Sequence, residues 1–285
     1  MDPERILAKA QAAKRKAHRL SIELRLKSVS DAKKFLREQS VVLWRDKGDL
    51  PNLLDATIGR IANGKERVHG KAAENCSAWR RQLLRDPEFL DCRFFCKQPT
   101  ALHESLWPYA TVFARLNREM AEDGKNLSRE ADGIVSHVKK EGPTRCDQLR
   151  KALKLLSPQE MRAFQRAVLE LKNLLILLEQ EERQEEKCNT TVLDLWENRM
   201  PKTVKAKADG IALKDAAVHL FSATVRSCVL TPEKNLSRWF LWCPQDDEEL
   251  IHDLLRKKDC IRVQQGKTGY LIWAKQEETK PQRKH

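Results

Sequence analysis

The sequence predicts a mainly α-helical protein with short β-hairpins. Two observations indicate this fold. Apolar residues recur at helical spacing through most of the second half of the chain. In residues 121–200, and again in residues 201–275, three helical segments precede two short apolar runs separated by a polar bend. Three helices followed by a hairpin is the order of a winged helix, a variant of helix-turn-helix, so we expect tandem winged-helix units.

The chain of 285 residues is long enough for two or three domains. We divide it into a basic helical arm, a helical domain that is degenerate and winged-helix-like, two winged helices and a polar tail. Their bounds are residues 1–27, 28–120, 121–200, 201–275 and 276–285. The arm holds eight Lys or Arg against three acids. It is either ordered only on a partner or a solvated helix packed on the next domain.

The first domain is interpreted from helical signals. Ser30 is the expected cap of its first helix, and the turn-like residues 46–49 follow an apolar run at residues 41–44. Further helices are expected at residues 50–59, ending near Gly59, at residues 79–85, which have a basic side, and at residues 102–116, interrupted by Pro108.

The second domain has the most specific signals. Ser128 caps its first helix, and Gly142-Pro143 ends it. A short helix follows at residues 145–153. Ser157-Pro158-Gln159-Glu160 is a capping box with proline at the first helical position, which starts the third helix. Its expected core stripe consists of Met161, Phe164, Val168 and Leu171. Residues 174–178 and 190–195 form the expected wing around a bend at residues 180–187.

The third domain repeats the pattern. Its first helix is expected at residues 209–228, a second starting at Thr231-Pro232, and a third at residues 246–258. The runs 261–263 and 270–273 flank a bend with two glycines and predict a hairpin.

The charge balance points to a polyanionic partner. Lys and Arg number 54 against 41 Asp and Glu, for a net charge of +13, and phosphate neutralisation with counterion release favours nucleic acid. No apolar stretch is long enough to span a bilayer, and no secretory signal is present. We expect a cytoplasmic protein, associated with the nucleoid if bacterial, and a monomer.

Cysteine usage fits a reducing compartment. The eight cysteines contain no C-x-x-C pair, so we expect free thiols. Cys76, Cys92, Cys96 and His103 do not have the spacing of a zinc ribbon or finger. We therefore expect neither a metal nor another cofactor.

Two basic surfaces are candidates for contacting DNA. The first is the solvent face of the third helix in residues 121–200, which carries Gln159, Arg162 and Arg166; Arg and Gln suit base edges and phosphates. An ordinary solvated face is the alternative. The wing beside it is acidic and argues against docking. The second surface lies in the first domain and comprises Lys65, Arg67, Lys71, Arg80, Arg81 and Arg85.

Three tryptophans could support the second surface. Trp44, Trp79 and Trp107 could stack on an exposed base or wedge into a duplex; a core position is the more common role of each. The last domain is a poorer reader of DNA, because its third helix opens with four acids (Asp246, Asp247, Glu248 and Glu249). We expect its role to be mainly structural.

The arrangement resembles the bacterial DNA glycosylases that unhook interstrand crosslinks, and their uncharacterised relatives. The resemblance covers most of residues 28–275. It rests on residues 127–131 (LSREA), Gly142-Pro143, Leu149-Arg150, residues 167–171 (AVLEL), residues 41–44 (VVLW), residues 50–53 (LPNL) and residues 106–108 (LWP).

The resemblance implies binding to double-stranded DNA that is damaged or distorted. It also implies hydrolysis of an N-glycosidic bond at an extruded base, by a Gln-apolar-Gln or Gln-apolar-Asp pair in the first unit. Here Gln39 is followed by Ser40 and Val41, which do not supply that pair. A winged-helix transcription regulator and a protein-interaction scaffold without catalysis remain alternatives.

Overall fold

The computed structural model describes residues 2–45, 48–61, 70–123, 127–183, 189–240 and 247–274. Within these residues the protein is mainly helical, with three small antiparallel sheets of three strands each. This class agrees with the one that the sequence predicts. No helix in the described part of the chain has the length and apolar character that crossing a bilayer requires.

The N-terminal segment forms helix α1 (Pro3–Ala17), which starts where the Asp2 carboxylate accepts a hydrogen bond from the Glu4 amide. Leu7 and Ala10 are buried on one side of α1. Their partners come from the last part of the chain and are Leu230, Val263 and Ile272. The cationic residues of α1 are therefore carried on a helix that packs against the protein itself.

The first unit contains three helices and a sheet. Its elements are α2 (Val29–Gln39), β1 (Val41–Leu43), α3 (Leu53–Ile58), α4 (Lys71–Leu83), β2 (Phe89–Phe95) and β3 (Gln98–His103). The strand order is β1-β3-β2. Sequence analysis found no hairpin here, because the β2–β3 turn uses Cys96 and Lys97 at positive φ (49° and 57°) instead of the Asn-Gly or Gly pairs that announce such turns.

Two further boundaries in this unit differ from expectation. The cap of α2 is Ser28, whose Oγ accepts from the Asp31 amide, and not Ser30. A 3-10 helix (Glu104–Leu106) leads into α5 (Trp107–Glu122). Pro108 lies in the first turn of α5 and does not interrupt it, since a proline there needs no backbone N–H partner.

The second unit follows its prediction closely. Its elements are α6 (Arg129–Glu141), β4 (Thr144–Arg145), α7 (Cys146–Ala152), α8 (Pro158–Asn173), β5 (Leu177–Arg183), β6 (Asn189–Leu195), α9 (Trp196–Arg199) and α10 (Lys202–Asp209). Ser128 caps α6, and the Ser157/Glu160 capping box starts α8. The first wing strand is β5 at residues 177–183 and not at residues 174–178. Residues 180–183 of the predicted bend are strand because they pair with β6, and residues 184–188 lie outside the described residues. Met161 is 36 % exposed and does not belong to the core stripe of α8.

The third unit required two corrections. Its elements are α11 (Leu213–Cys228), β7 (Leu230–Pro232), a 3-10 helix (Glu233–Arg238), α12 (Asp247–Arg256), β8 (Cys260–Gln265) and β9 (Thr268–Trp273). The helix predicted at residues 209–228 begins only at Leu213, because α10 ends at Asp209 and the chain leaves the helical conformation at Gly210. Thr231 and Pro232 pair with β9 as the end of β7, since proline is tolerated at a strand edge, and the short helix expected to start there is a 3-10 helix with Pro232 as its N-cap. The predicted tail lies outside the described residues.

The same order of elements occurs three times along the chain. Each unit runs helix, strand, helix, helix, strand, strand, and each sheet has its third strand between the other two. A residue at positive φ separates the first helix from the first strand in every unit: Ser40 (63°), Gly142 (80°) and Val229 (62°). The left-handed residue ends the helix and turns the chain into the sheet. The first unit is thus as complete as the other two.

Buried side chains join the three units. One apolar cluster contains Phe113 from α5, Trp196 from α9 and Phe221 from α11, together with strand residues of the first sheet. The indole Nε1 of Trp196 donates to Thr111 Oγ1 at 2.9 Å. Arg115 on α5 also forms ion pairs with Glu197 and Asp209. Helix α5 therefore lies at the centre of the molecule.

Candidate nucleic-acid interface

Helix α8 presents a cationic face to solvent. Arg162 and Arg166 lie one turn apart, and both are exposed. Gln159 and Gln165 flank them, and the face borders an open depression. Within the described part of the chain, none of these four side chains has a hydrogen bond or an ion pair. Their donors are therefore free to bind a ligand.

Apolar side chains interrupt this face. Leu169 is 42 % exposed and lies on the same side of α8 as Arg162 and Gln165, because residues 162, 165 and 169 recur at helical spacing. Met161 flanks the face, and Leu156, just before the helix, is 63 % exposed. The surface of α8 can thus make both apolar and charged contacts.

The opposite side of α8 is fixed in the core. Phe164, Ala167 and Leu171 are buried among residues of the second unit. The Glu170 carboxylate accepts from the Ser128 hydroxyl at 2.7 Å and ties α8 to the start of α6. Asn173 at the end of α8 accepts from Arg93 Nε of strand β2 at 2.8 Å. These contacts hold the exposed face in one orientation relative to the first unit.

The predicted cations of the first unit divide into three groups. Lys71, Arg81 and Arg85 are exposed on or just after α4. Arg80 instead forms an ion pair with Asp91, and its Cζ atom lies 5.4 Å from the centroid of the Trp44 ring. Because that guanidinium already has an internal partner, we do not retain Arg80 in the interface. Lys65 and Arg67 lie outside the described residues.

The three candidate tryptophans are core residues. Trp44, Trp79 and Trp107 are 2 %, 8 % and 5 % exposed. The indole Nε1 of Trp44 donates to Asp91 at 2.9 Å, and that of Trp107 donates to the Leu102 carbonyl at 3.1 Å. None of the three can stack on a base without leaving the core.

The third unit offers less cationic surface in the corresponding places. Arg262 on β8 is held by Glu233 at 2.6 Å and by Glu248 at 3.4 Å. Glu248 and Glu249 at the start of α12 are exposed. Lys267 is exposed on the β8–β9 turn. That this unit reads DNA poorly stays a prediction.

The cysteines near the first sheet are buried in apolar surroundings. Burial raises the pKa of the Cys92 thiol well above its usual range and that of Cys96 to about 11. With such pKa values both thiols are protonated at neutral pH, which makes them poor nucleophiles. The described residues contain no group of three His, Cys, Asp or Glu arranged to hold a metal. The described cysteines are free thiols.

Comparison with known proteins gives one result. A model of the AlkZ-related family matches residues 26–241. The chain belongs to the AlkZ-related family. No curated protein and no solved structure matches it. Membership agrees with the resemblance to crosslink-repair glycosylases that the sequence shows.

The matched segment of this AlkZ-related protein takes in the first two units completely. It ends shortly after the 3-10 helix of the third unit, and therefore contains α11 but neither α12 nor the β8–β9 hairpin. Helix α1 also lies outside it. The candidate face on α8 is within the part that defines the family.

The resemblance implies a water-activating pair at residues 39 and 41, but in this AlkZ-related protein residue 41 is the apolar Val41. Val41 is fully buried in β1, so its side chain cannot polarise water. Gln39 donates from Nε2 to the Ala17 carbonyl at 3.3 Å. Ser40, at positive φ, accepts from Arg226 Nη2 of α11 at 2.9 Å. The junction of α2 and β1 is therefore bound to the third unit.

Sequence analysis missed an aromatic pair beside this junction. Tyr109 of α5 and His219 of α11 stack with their ring centroids 3.7 Å apart and an interplanar angle of 13°. His219 and Arg226 lie seven residues apart on α11, which places them on one side of the helix. The two rings come from different units, and a spacing of more than a hundred residues gives no signal in a single sequence.

Proposed function

We propose that this AlkZ-related protein is a DNA-binding protein whose units act as winged helices, with α8 as the helix that contacts the duplex. Three observations support the proposal: family membership, the thrice-repeated order of elements, and the net positive charge. In a winged helix the third helix enters the major groove, and α8 has that place in the second unit. Distorted or damaged DNA is the substrate that the family resemblance favours.

The observation that carries the proposal is the pair Arg162 and Arg166, which are exposed and have no partner among the described residues. A guanidinium pair one turn apart can bind two successive phosphates or one phosphate and a guanine edge. Two like charges at this spacing on a helix destabilise it slightly unless a partner neutralises them, and a bound phosphate would do so. The flanking Gln159 adds a group suited to adenine.

The test is binding to a duplex over a range of salt concentrations. Arg162→Gln/Arg166→Gln should weaken binding and lower the slope of log affinity against log salt by about 2, one unit for each lost phosphate contact. Lys202→Gln/Lys207→Gln removes the same charge from exposed positions on α10 and should keep the wild-type slope. Equal slopes for wild type and the α8 variant would contradict the proposal.

Hydrolysis of an N-glycosidic bond is the reaction that family membership suggests. The supporting chemistry is weak in this chain, because buried Val41 offers no group to activate water. We therefore propose binding as the function and assign no catalytic residue. An assay of alkylated duplex for released base, with the wild-type protein in excess, decides the point: release would mean that a side chain other than that of Val41 activates water.

A protein-interaction scaffold is the second candidate. The exposed Leu156, Met161 and Leu169 favour it, because a face of mixed apolar and cationic character also suits an acidic protein surface. If the α8 variant binds DNA as the wild type does, this candidate takes precedence over DNA binding.

A further inference from the structure

The junction between the first and third units combines an aromatic stack with cationic side chains. His219 is exposed although one face of its ring is covered by Tyr109 at 3.7 Å. The stack covers the imidazole only in part, and the residue remains accessible to solvent. Within the described residues the imidazole has no hydrogen-bond partner. An exposed ring with one supported face is a preformed surface on which another flat ring can stack.

The surroundings of His219 determine its protonation state. Burial lowers the pKa of His219, and the neighbouring Arg226 and Lys257 lower it further. His219 is therefore neutral at physiological pH. A neutral imidazole stacks on a nucleobase as an aromatic surface and leaves the binding of phosphates to other groups.

Cations surround the stack. Arg226 uses Nη2 to hold Ser40 Oγ at 2.9 Å, and its other nitrogens have no partner among the described residues. Lys257 is exposed close to His219 at the end of α12. His103 of β3, with a lowered pKa, also faces Arg226 and is hydrogen-bonded to Ser105 at 2.9 Å. A flat ring on His219 would have two cations within reach of the phosphates beside it.

We propose that His219, supported by Tyr109, is a stacking platform for one unpaired nucleobase, and that Arg226 and Lys257 bind the adjacent phosphates. This inference rests on the proposed DNA binding and adds the form of DNA that is preferred. The platform lies where α5 meets α11, whereas α8 is the proposed contact with the paired duplex. A strand with an unstacked base is therefore expected to bind more tightly than the same strand fully paired, by roughly tenfold.

The experiment uses the full chain and two duplexes of equal length, one fully paired and one with a single unpaired 2-aminopurine. The wild type should prefer the second duplex and quench the 2-aminopurine fluorescence, because stacking on an aromatic ring quenches it. His219→Ala should remove most of the preference and the quenching, while binding to the paired duplex stays unchanged. His219→Phe keeps a flat ring and should restore both.

The matched control is His252→Ala, which removes an exposed histidine of α12 and should behave as the wild type. Preference and quenching that persist in His219→Ala would overturn the platform while leaving the proposed function intact. The inference also fails if the wild type shows no preference for the unpaired base. A wild type that binds neither duplex would instead remove the proposed function, and the platform with it.

Discussion

His18 is a buried titratable side chain at the end of α1. Its Nε2 donates to the Ser227 carbonyl at 2.8 Å. Burial, together with the nearby Lys14, lowers its pKa from 6.5 to about 3. Between about pH 3 and pH 6.5 the imidazole is thus neutral in the folded protein, whereas the unfolded chain binds a proton there.

This depressed pKa predicts acid sensitivity. Stability is complete above pH 6.5 and falls below it by roughly 1.4 kcal/mol per pH unit, because the unfolded state takes up a proton that the folded state excludes. His18→Gln keeps an amide that can donate to the Ser227 carbonyl and does not titrate. Urea unfolding between pH 6.5 and 4.5 should show the wild type losing stability faster than the variant. A constant difference across that window would refute the assignment.

For single residues, the sequence predicted which side chains face solvent better than it predicted which of them already have an internal ion-pair partner. Arg162 and Arg166 were placed correctly on the solvent face of a helix, because the positions of Phe164 and Leu171 define the buried side. The ion pair of Arg80 could not be predicted, since its partner Asp91 lies on a strand that the sequence analysis did not identify. Ion pairs across elements depend on tertiary structure, which a single sequence does not contain.

At the scale of elements, α1 is the part whose attachment is easiest to test. Leu7 is 3 % exposed against the third sheet. Leu7→Ala should weaken the packing of α1 on the third sheet by about 2–5 kcal/mol, the usual cost of this truncation in a core.

Trypsin digestion is the appropriate measurement, because α1 carries exposed Lys9 and Lys16. In the Leu7→Ala variant, trypsin should cleave α1 before it cleaves the rest of the chain. In the wild type, α1 should not be cleaved first. Leu156→Ala, which truncates an exposed leucine, serves as the control and should digest as the wild type does. Equal protection of α1 in Leu7→Ala would show that other contacts hold the helix.

The helices of the second unit could be predicted because short local sequence signals mark their ends. Ser128, the Ser157/Glu160 box and Gly142 each determine a helix end through their own backbone geometry. The strands of the first unit could not, because β1 has only three residues and all are buried, so no alternation distinguishes it from a helix.

At the scale of the whole molecule, the shared apolar cluster predicts cooperative unfolding. Phe221 is fully buried among residues from all three units, whereas Phe164 is buried within the second unit alone. Either phenylalanine replaced by alanine should cost about 3–5 kcal/mol. Because the units share a core, each variant should still unfold in one transition.

The measurement is denaturation followed by tryptophan fluorescence and by circular dichroism in parallel. The two curves should coincide for the wild type, for Phe221→Ala and for Phe164→Ala. Separate transitions in Phe164→Ala alone would mean that the second unit folds independently of the central cluster.

The docking of α1 has a consequence for how the molecule is made. Lys14 donates to the carbonyl of Leu230, 216 positions further along, and Leu7 meets Ile272 near the other end of the described chain. A ribosome releases the first residues long before it adds those partners. The apolar side of α1 therefore stays exposed during synthesis until almost all of the protein has been translated.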